Sequence, residues 1–185
     1  MTALALVHTA LGTTALATGA LVLARRKGDR PHRLVGRVYA ASMVALCLLS
    51  FGLRDTTPLF RGYGPFHLAA LVSLGTVTAG VVVAWRRRPG WFEGHYMWMA
   101  WSYIGLVMAT GGHVARPAFL ALRDAGLGAG AALALSLFAV WGLPPLVGSR
   151  WIARRKAGWD ALGTRRPPSG AGERGVSSAA LTETS

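Results

Sequence analysis

The sequence predicts an all-α integral membrane protein, a bundle of five transmembrane helices. Of its 185 residues, 52% are hydrophobic and 15% are charged, whereas soluble domains average about 25% charged residues. The apolar residues form five stretches, each long enough to cross a hydrocarbon core of ~30 Å. Lys and Arg lie mainly in short runs between these stretches, a pattern that sets the orientation of membrane proteins.

The predicted spans belong to a transmembrane domain of residues 1–148. They cover residues 3–24, 34–53, 65–85, 96–116 and 125–147. The first stretch carries no charged side chain before Arg25, and its basic run follows the apolar core. A secretory signal peptide has the opposite order. We therefore interpret this stretch as a retained first helix.

Prolines predict where two of these helices are interrupted. Pro117 removes a backbone donor and clashes with the carbonyl of His113, so a kink or an end of the fourth span is expected there. Pro144 and Pro145 are expected to end or bend the fifth span for the same reason.

The distribution of basic residues predicts an orientation. Sixteen of the twenty Lys and Arg residues flank one side of the predicted spans and four flank the other. The positive-inside rule then places the N-terminus outside and the C-terminus in the cytoplasm. Residues 149–166 have the composition of a basic interfacial segment on anionic lipids, and residues 167–185 that of a disordered tail. The net charge of +13 therefore reflects topology, and nucleic-acid binding is not expected because no aromatic and basic residues interleave on one face.

Two helices carry stripes of small residues at helical spacing, which favour close contact between helices in lipid. These stripes are His8, Gly12, Ala15 and Gly19 in the first span, and Ser102, Gly105, Ala109 and Gly112 in the fourth. His95 and His113 lie on the second stripe, because 18 residues make five turns at ~3.6 residues per turn. Both stripes are predicted to face the interior of the bundle.

Several short motifs resemble a family of small bacterial multi-pass membrane proteins known as domain of unknown function 2306. They are the run Arg26-Lys27-Gly28, His32-Arg33, Gly36-Arg37-Val38-Tyr39, His8 with Gly12, His67 at the start of a helix, and the pair Ser102-Tyr103. The resemblance covers about residues 5–116 and leaves the fifth span outside. It implies the bacterial cytoplasmic (inner) membrane as the location and no particular chemistry.

The five histidines are the candidate functional residues, since ionisable groups at membrane depth are costly to bury. By the predicted topology, His8, His67 and His113 lie near the outer face, and His32 and His95 near the cytoplasmic face. The first hypothesis is a haem b site on the outer three, in which glycines make room for the macrocycle. Arg116, one turn beyond His113, could pair with a propionate. A second haem at His32 and His95 would complete a path for transmembrane electron transfer.

Two alternatives stay open beside haem. His8, His67 and His113 with a water would form a three-histidine zinc site, as in zinc hydrolases, although the outer side offers only Asp55 and Asp124 as a general base. The other alternative is a non-catalytic carrier, structural or regulatory subunit in contact with the bilayer. Whether the protein is an enzyme and which oligomeric state it adopts do not follow from the sequence. The single cysteine, Cys47, supports neither a disulfide framework nor a thiolate metal site.

Overall fold

A computed structural model describes residues 2–25, 27–53 and 63–163, with side chains as far as Lys156. The regular secondary structure in these ranges is helical, as predicted. The helices are α1 (Ala3–Ala24), α2 (Arg30–Ser50), α3 (Pro65–Arg86), α4 (Trp91–Asp124), α5 (Ala129–Leu137) and α6 (Leu143–Gly163). The predicted loop at 54–62 and the predicted disordered tail, 167–185, lie outside the described residues.

Local signals explain where the helices begin. The Thr2 hydroxyl accepts the backbone N–H of Ala5 at the start of α1, and the Asp29 carboxylate accepts that of His32 at 2.7 Å at the start of α2. Both are N-caps, which satisfy donors that the first turn leaves free. Pro31 lies in the first turn of α2, where its missing N–H costs nothing. For this reason α2 begins at Arg30, four residues before the predicted boundary.

Helix α4 differs most from its predicted bounds. It runs for 34 residues through Pro117 to Asp124, a length of ~51 Å at 1.5 Å per residue. Pro117 therefore does not end the helix. Arg123, which lies between the predicted fourth and fifth spans, is part of this helix.

The last two helices are joined without a break by a π-helical turn, Phe138–Gly142, so that α5 and α6 form one continuous helix. Pro144 and Pro145 follow this turn directly and do not end the helix. A π turn widens the backbone locally, which accommodates prolines that cannot donate to the preceding turn. The helix therefore continues past the predicted boundary at 147, and the basic segment that follows is helical as far as Gly163.

Helices α1, α2, α3 and α4 form a closed ring in which each packs on the next and α4 returns to α1. The continuous α5–α6 helix packs on α4 from outside this ring. Within the described residues, four helices are long and apolar enough to cross a bilayer, namely α1, α2, α3 and the helix Ala129–Lys156. Helix α4 contacts α1, α3, α5 and α6, and this central position suits its lower content of apolar residues.

The ring has two ends, named here for use below. The basic end contains the 25–29 and 87–90 connections and residues 150–156. The opposite end contains His8, the start of α3 and the last turns of α4.

Candidate functional site

The centre of the ring contains a buried hydrogen bond between α2 and α4. Tyr39 is 2% exposed and Ser102 is 0% exposed, and their side-chain oxygens lie 2.8 Å apart. The Ser102 hydroxyl donates to the carbonyl of Met99, so the Tyr39 hydroxyl is the donor to Ser102. Buried polar groups of this kind need a partner, and here 63 residues separate the two in sequence.

Helix α1 approaches this pair at Gly19. A Cβ atom at Gly19 would lie 2.6 Å from Cε2 of Tyr103 and 2.8 Å from Cε2 of Tyr39. The Tyr103 hydroxyl donates to the carbonyl of Leu16 at 3.3 Å. The predicted small-residue stripe therefore does face inward at Ala15 and Gly19, both of which are buried.

His67 is tied to the chain around it at the opposite end. Its Nδ1 accepts the backbone N–H of Gly64 at 3.1 Å, so its Nε2 carries the proton and donates to the carbonyl of Leu53 at 2.9 Å. Both ring nitrogens are thus occupied in holding the start of α3 to the end of α2. The ring also packs against Phe51 and, edge to face, Tyr63.

His8 and His113 lie near each other at the opposite end, close enough to interact electrostatically. Nδ1 of His8 is buried and has no hydrogen-bond partner among the described residues. His113 is exposed, as is Arg116. Of the three histidines assigned to the outer face, these two lie together, whereas the hydrogen bonds of His67 commit it elsewhere.

His32 and His95 form a similar pair at the basic end, where their side chains interact electrostatically. His95 donates from Nδ1 to the carbonyl of Gly80 at 2.9 Å, which leaves its Nε2 free of this bond. Nδ1 of His32 is buried without a partner within the described ranges. The sequence suggested a loop position for His32, but it lies in the first turn of α2.

The packing around the glycines tests whether a haem fits. A Cβ atom at Gly112 would lie 2.9 Å from the ring of Phe66, and one at Gly105 would lie 3.2 Å from the hydroxyl of Ser73. The nearest side chain to Gly12 is Leu46, at 3.8 Å from such an atom. Gly105 and Gly112 therefore allow close packing of helices, and a neighbouring side chain already fills the space beside each of them. No group of three His, Cys, Asp or Glu side chains able to hold a metal ion occurs in the described part of the chain.

A cleft of about 530 Å³ lies between α1 and α6, with α4 as its floor. The lining residues are Ala20, Leu23 and Ala24 of α1, Ala100, Tyr103, Ile104 and Val107 of α4, and Pro144, Val147, Gly148, Trp151 and Arg155 of α6. All are apolar except Tyr103 and Arg155. Its volume falls within the ~300–1,000 Å³ of ligand-binding pockets.

Comparison with protein families finds a match over residues 5–143 to the family described as predicted membrane protein, DUF2306. The chain belongs to this family. The match confirms the resemblance and extends beyond residue 116 into α5 and the π turn, so the fifth predicted span is not outside it. Comparisons with curated proteins and with solved structures find no match.

The sequence did not predict the cleft. It also did not predict that its two polar residues, Tyr103 and Arg155, contact Leu16 and Trp151 respectively. The pair Ser102-Tyr103 and Tyr39 stand in the motifs of the family resemblance, which was the available signal. Nothing in the sequence showed that Tyr39 bonds Ser102. The sequence suggested that Arg155 is one of several basic residues facing lipid headgroups, whereas it lines the cleft.

Proposed function

We propose that this membrane protein is a non-catalytic binding protein that holds the hydrocarbon chain of a membrane amphiphile in the cleft between α1 and α6. The observation that carries the proposal is the cleft itself, with its apolar walls on three helices. A protein of this kind falls within the carrier or regulatory-subunit class that the sequence left open beside haem and zinc.

The length of the cleft supports a lipid chain as the occupant. From Pro144 to Arg155 the α6 wall rises ~17 Å at 1.5 Å per residue. Half of a hydrocarbon core of ~30 Å is ~15 Å. The cleft therefore has the depth of one leaflet, and its polar residue Arg155 lies at the basic end, where a headgroup would be.

The chemistry of the lining supports binding over catalysis. The Tyr103 hydroxyl is already engaged with the carbonyl of Leu16, and no Asp, Glu, His or Cys lines the cleft in the described part of the chain. General acid–base or nucleophilic chemistry requires such groups within hydrogen-bond reach of the substrate. Apolar walls with one polar end are sufficient to hold an amphiphile.

Acyl chains of the bilayer contact any groove that faces lipid. Specific binding is therefore tested by whether a lipid stays bound to the protein through purification. Native mass spectrometry of the purified protein should show one co-purified lipid. Ala20 is exposed and lines the cleft. Ala20→Trp fills the cleft and should reduce lipid retention at least about fivefold, since overpacking costs roughly 1–3 kcal/mol.

The matched control is Ala10→Trp, an exposed position on the same helix, ~15 Å further from the basic end. It should retain lipid as the unaltered protein does. Absence of a retained lipid in the unaltered protein, or equal losses in the two variants, would refute the proposal.

Haem b is the second candidate because two histidines lie near each other at each end, His8 and His113 at one and His32 and His95 at the other. The filled space beside Gly105 and Gly112 counts against it. The absorption spectrum of protein purified from haem-supplied cells decides whether haem is bound. A Soret band that is lost in His113→Ala would favour haem, and a colourless preparation would leave the histidines as hydrogen-bonding groups.

We also propose that the protein lies in a bacterial cytoplasmic membrane with its basic end in the cytoplasm. The clustering of Lys and Arg at that end supports this orientation. It brings the cleft to the leaflet that faces the cytoplasm, where anionic lipids are the expected neighbours.

A further inference from the structure

Two cations lie at the basic end of the cleft, one in its lining and the other next to its α1 wall. Arg155 belongs to the α6 lining, with its guanidinium carbon 5.5 Å from the centre of the Trp151 ring. Lys27 lies on the α1 side, where its ammonium group donates to the carbonyls of Val22 and Leu23 at 2.6 and 2.8 Å. Leu23 itself lines the cleft, so Lys27, which is not one of the lining residues, lies next to the α1 wall at this end.

The two cations are close enough to act on each other. Burial lowers the pKa of Lys27, and the positive charge of Arg155 lowers it further. Within the described ranges neither Lys27 nor Arg155 takes part in an ion pair; the neighbouring Lys156 pairs with Glu93 at 2.5 Å. The nearby carboxylate of Asp29 is engaged as the N-cap of α2. This end of the cleft therefore carries two cations that form no direct ion pair within the described residues.

Hydrogen-bonding capacity also remains at this end of the cleft. An ammonium group has three donors, and Lys27 uses two of them on the last carbonyls of α1. A guanidinium has five donors in a planar fork that suits phosphate, and that of Arg155 makes no hydrogen bond to the described residues. One donor of Lys27 and the fork of Arg155 are thus available to a ligand between them.

We propose that the cleft selects an anionic phospholipid, whose phosphate binds between Lys27 and Arg155 while an acyl chain fills the apolar part. The inference rests on the proposed function and adds the class of headgroup. A zwitterionic lipid would bring an ammonium group to the same two cations, whereas phosphatidylglycerol brings only its negative charge. A basic residue near an anionic headgroup contributes roughly fivefold in binding.

The experiment offers the purified full-length protein an equimolar mixture of phosphatidylglycerol and phosphatidylcholine with identical acyl chains, in detergent. Native mass spectrometry then counts which lipid is retained. The unaltered protein should retain phosphatidylglycerol preferentially. Arg155→Gln should reduce this preference roughly fivefold, and Arg155→Lys should restore most of it because the charge returns.

Arg154→Gln is the matched control, since it removes the same charge from an exposed neighbour that does not line the cleft. Its preference should equal that of the unaltered protein. If Arg154→Gln and Arg155→Gln reduce the preference for phosphatidylglycerol equally, the effect is a general one of surface charge. That result would overturn the assignment of the headgroup to Arg155. Retention of both lipids without preference by the unaltered protein would overturn the headgroup assignment alone, whereas retention of neither would overturn the proposed function as well. Preference for a long-chain fatty acid added at equal concentration would also refute the phospholipid assignment.

Discussion

Gly19 allows α1 to approach α2 and α4, and its replacement by alanine gives the sharpest test of this packing. The added Cβ would lie 2.6 Å from Cε2 of the Tyr103 ring and 2.8 Å from the Tyr39 ring. Carbon atoms in favourable contact are ~3.5–4.0 Å apart. Both rings, or α1 itself, must therefore shift by about 1 Å, and both rings are held by hydrogen bonds of their hydroxyl groups.

Two opposing effects set the size of the change. Overpacking a filled site costs roughly 1–3 kcal/mol. Alanine in place of a helical glycine stabilises the folded protein by about 1 kcal/mol because alanine has the higher helix propensity. We expect Gly19→Ala to destabilise the protein by up to about 2 kcal/mol, which is up to about a thirtyfold fall in the folding equilibrium constant.

Gly12→Ala on the same helix separates these effects. Its Cβ would meet only methyl groups of Leu46, at 3.8 and 4.0 Å, which is ordinary contact. This variant should therefore be neutral or more stable by up to about 1 kcal/mol. Adding Tyr103→Leu to Gly19→Ala should recover part of the lost stability, because the nearer of the two clashing rings is removed.

The assay is the unfolding equilibrium of the purified protein in mild detergent, followed by tryptophan fluorescence. Gly19→Ala should be less stable than Gly12→Ala by about 1–3 kcal/mol, and equal effects at the two positions would refute the assignment of Gly19 to a tight three-helix contact.

Three further outcomes are expected. Ser102→Ala should lower the free energy of unfolding by about 1–3 kcal/mol in the same assay, since it leaves the buried Tyr39 hydroxyl without its acceptor. Tyr39→Phe should lower it less, by about 0.5–1.5 kcal/mol. The reverse order would contradict the direction of the hydrogen bond. His67→Phe should lower stability by about 1–3 kcal/mol because the backbone groups of Gly64 and Leu53 lose their partner, and unchanged thermal stability would contradict its role in holding α2 to α3. A reporter fused after Gly163 should be active only in the cytoplasm, and activity outside the cell would refute the proposed orientation.

The sequence by itself determined the class of protein and most of its helices. Apolar stretches and basic runs are local properties, and they located α1 and α3 to within a residue or two. The spacing of Ala15 and Gly19 was also sufficient to predict an inward face, since helical periodicity fixes which residues share a side. Pro117 and Pro144 misled the prediction because a proline weakens a helix locally, while packing and a π turn can keep the helix continuous.

The tertiary structure alone decided which side chains meet. His67 looked like a ligand from its depth, but its hydrogen bonds to Gly64 and Leu53 depend on how the chain folds back between α2 and α3. Tyr39 and Ser102 are far apart in sequence, and their contact exists only because α2 and α4 belong to one ring. The cleft follows from the position of the continuous α5–α6 helix, which packs on α4 without closing against α1. That gap depends on the relative placement of three helices, which no local pattern encodes.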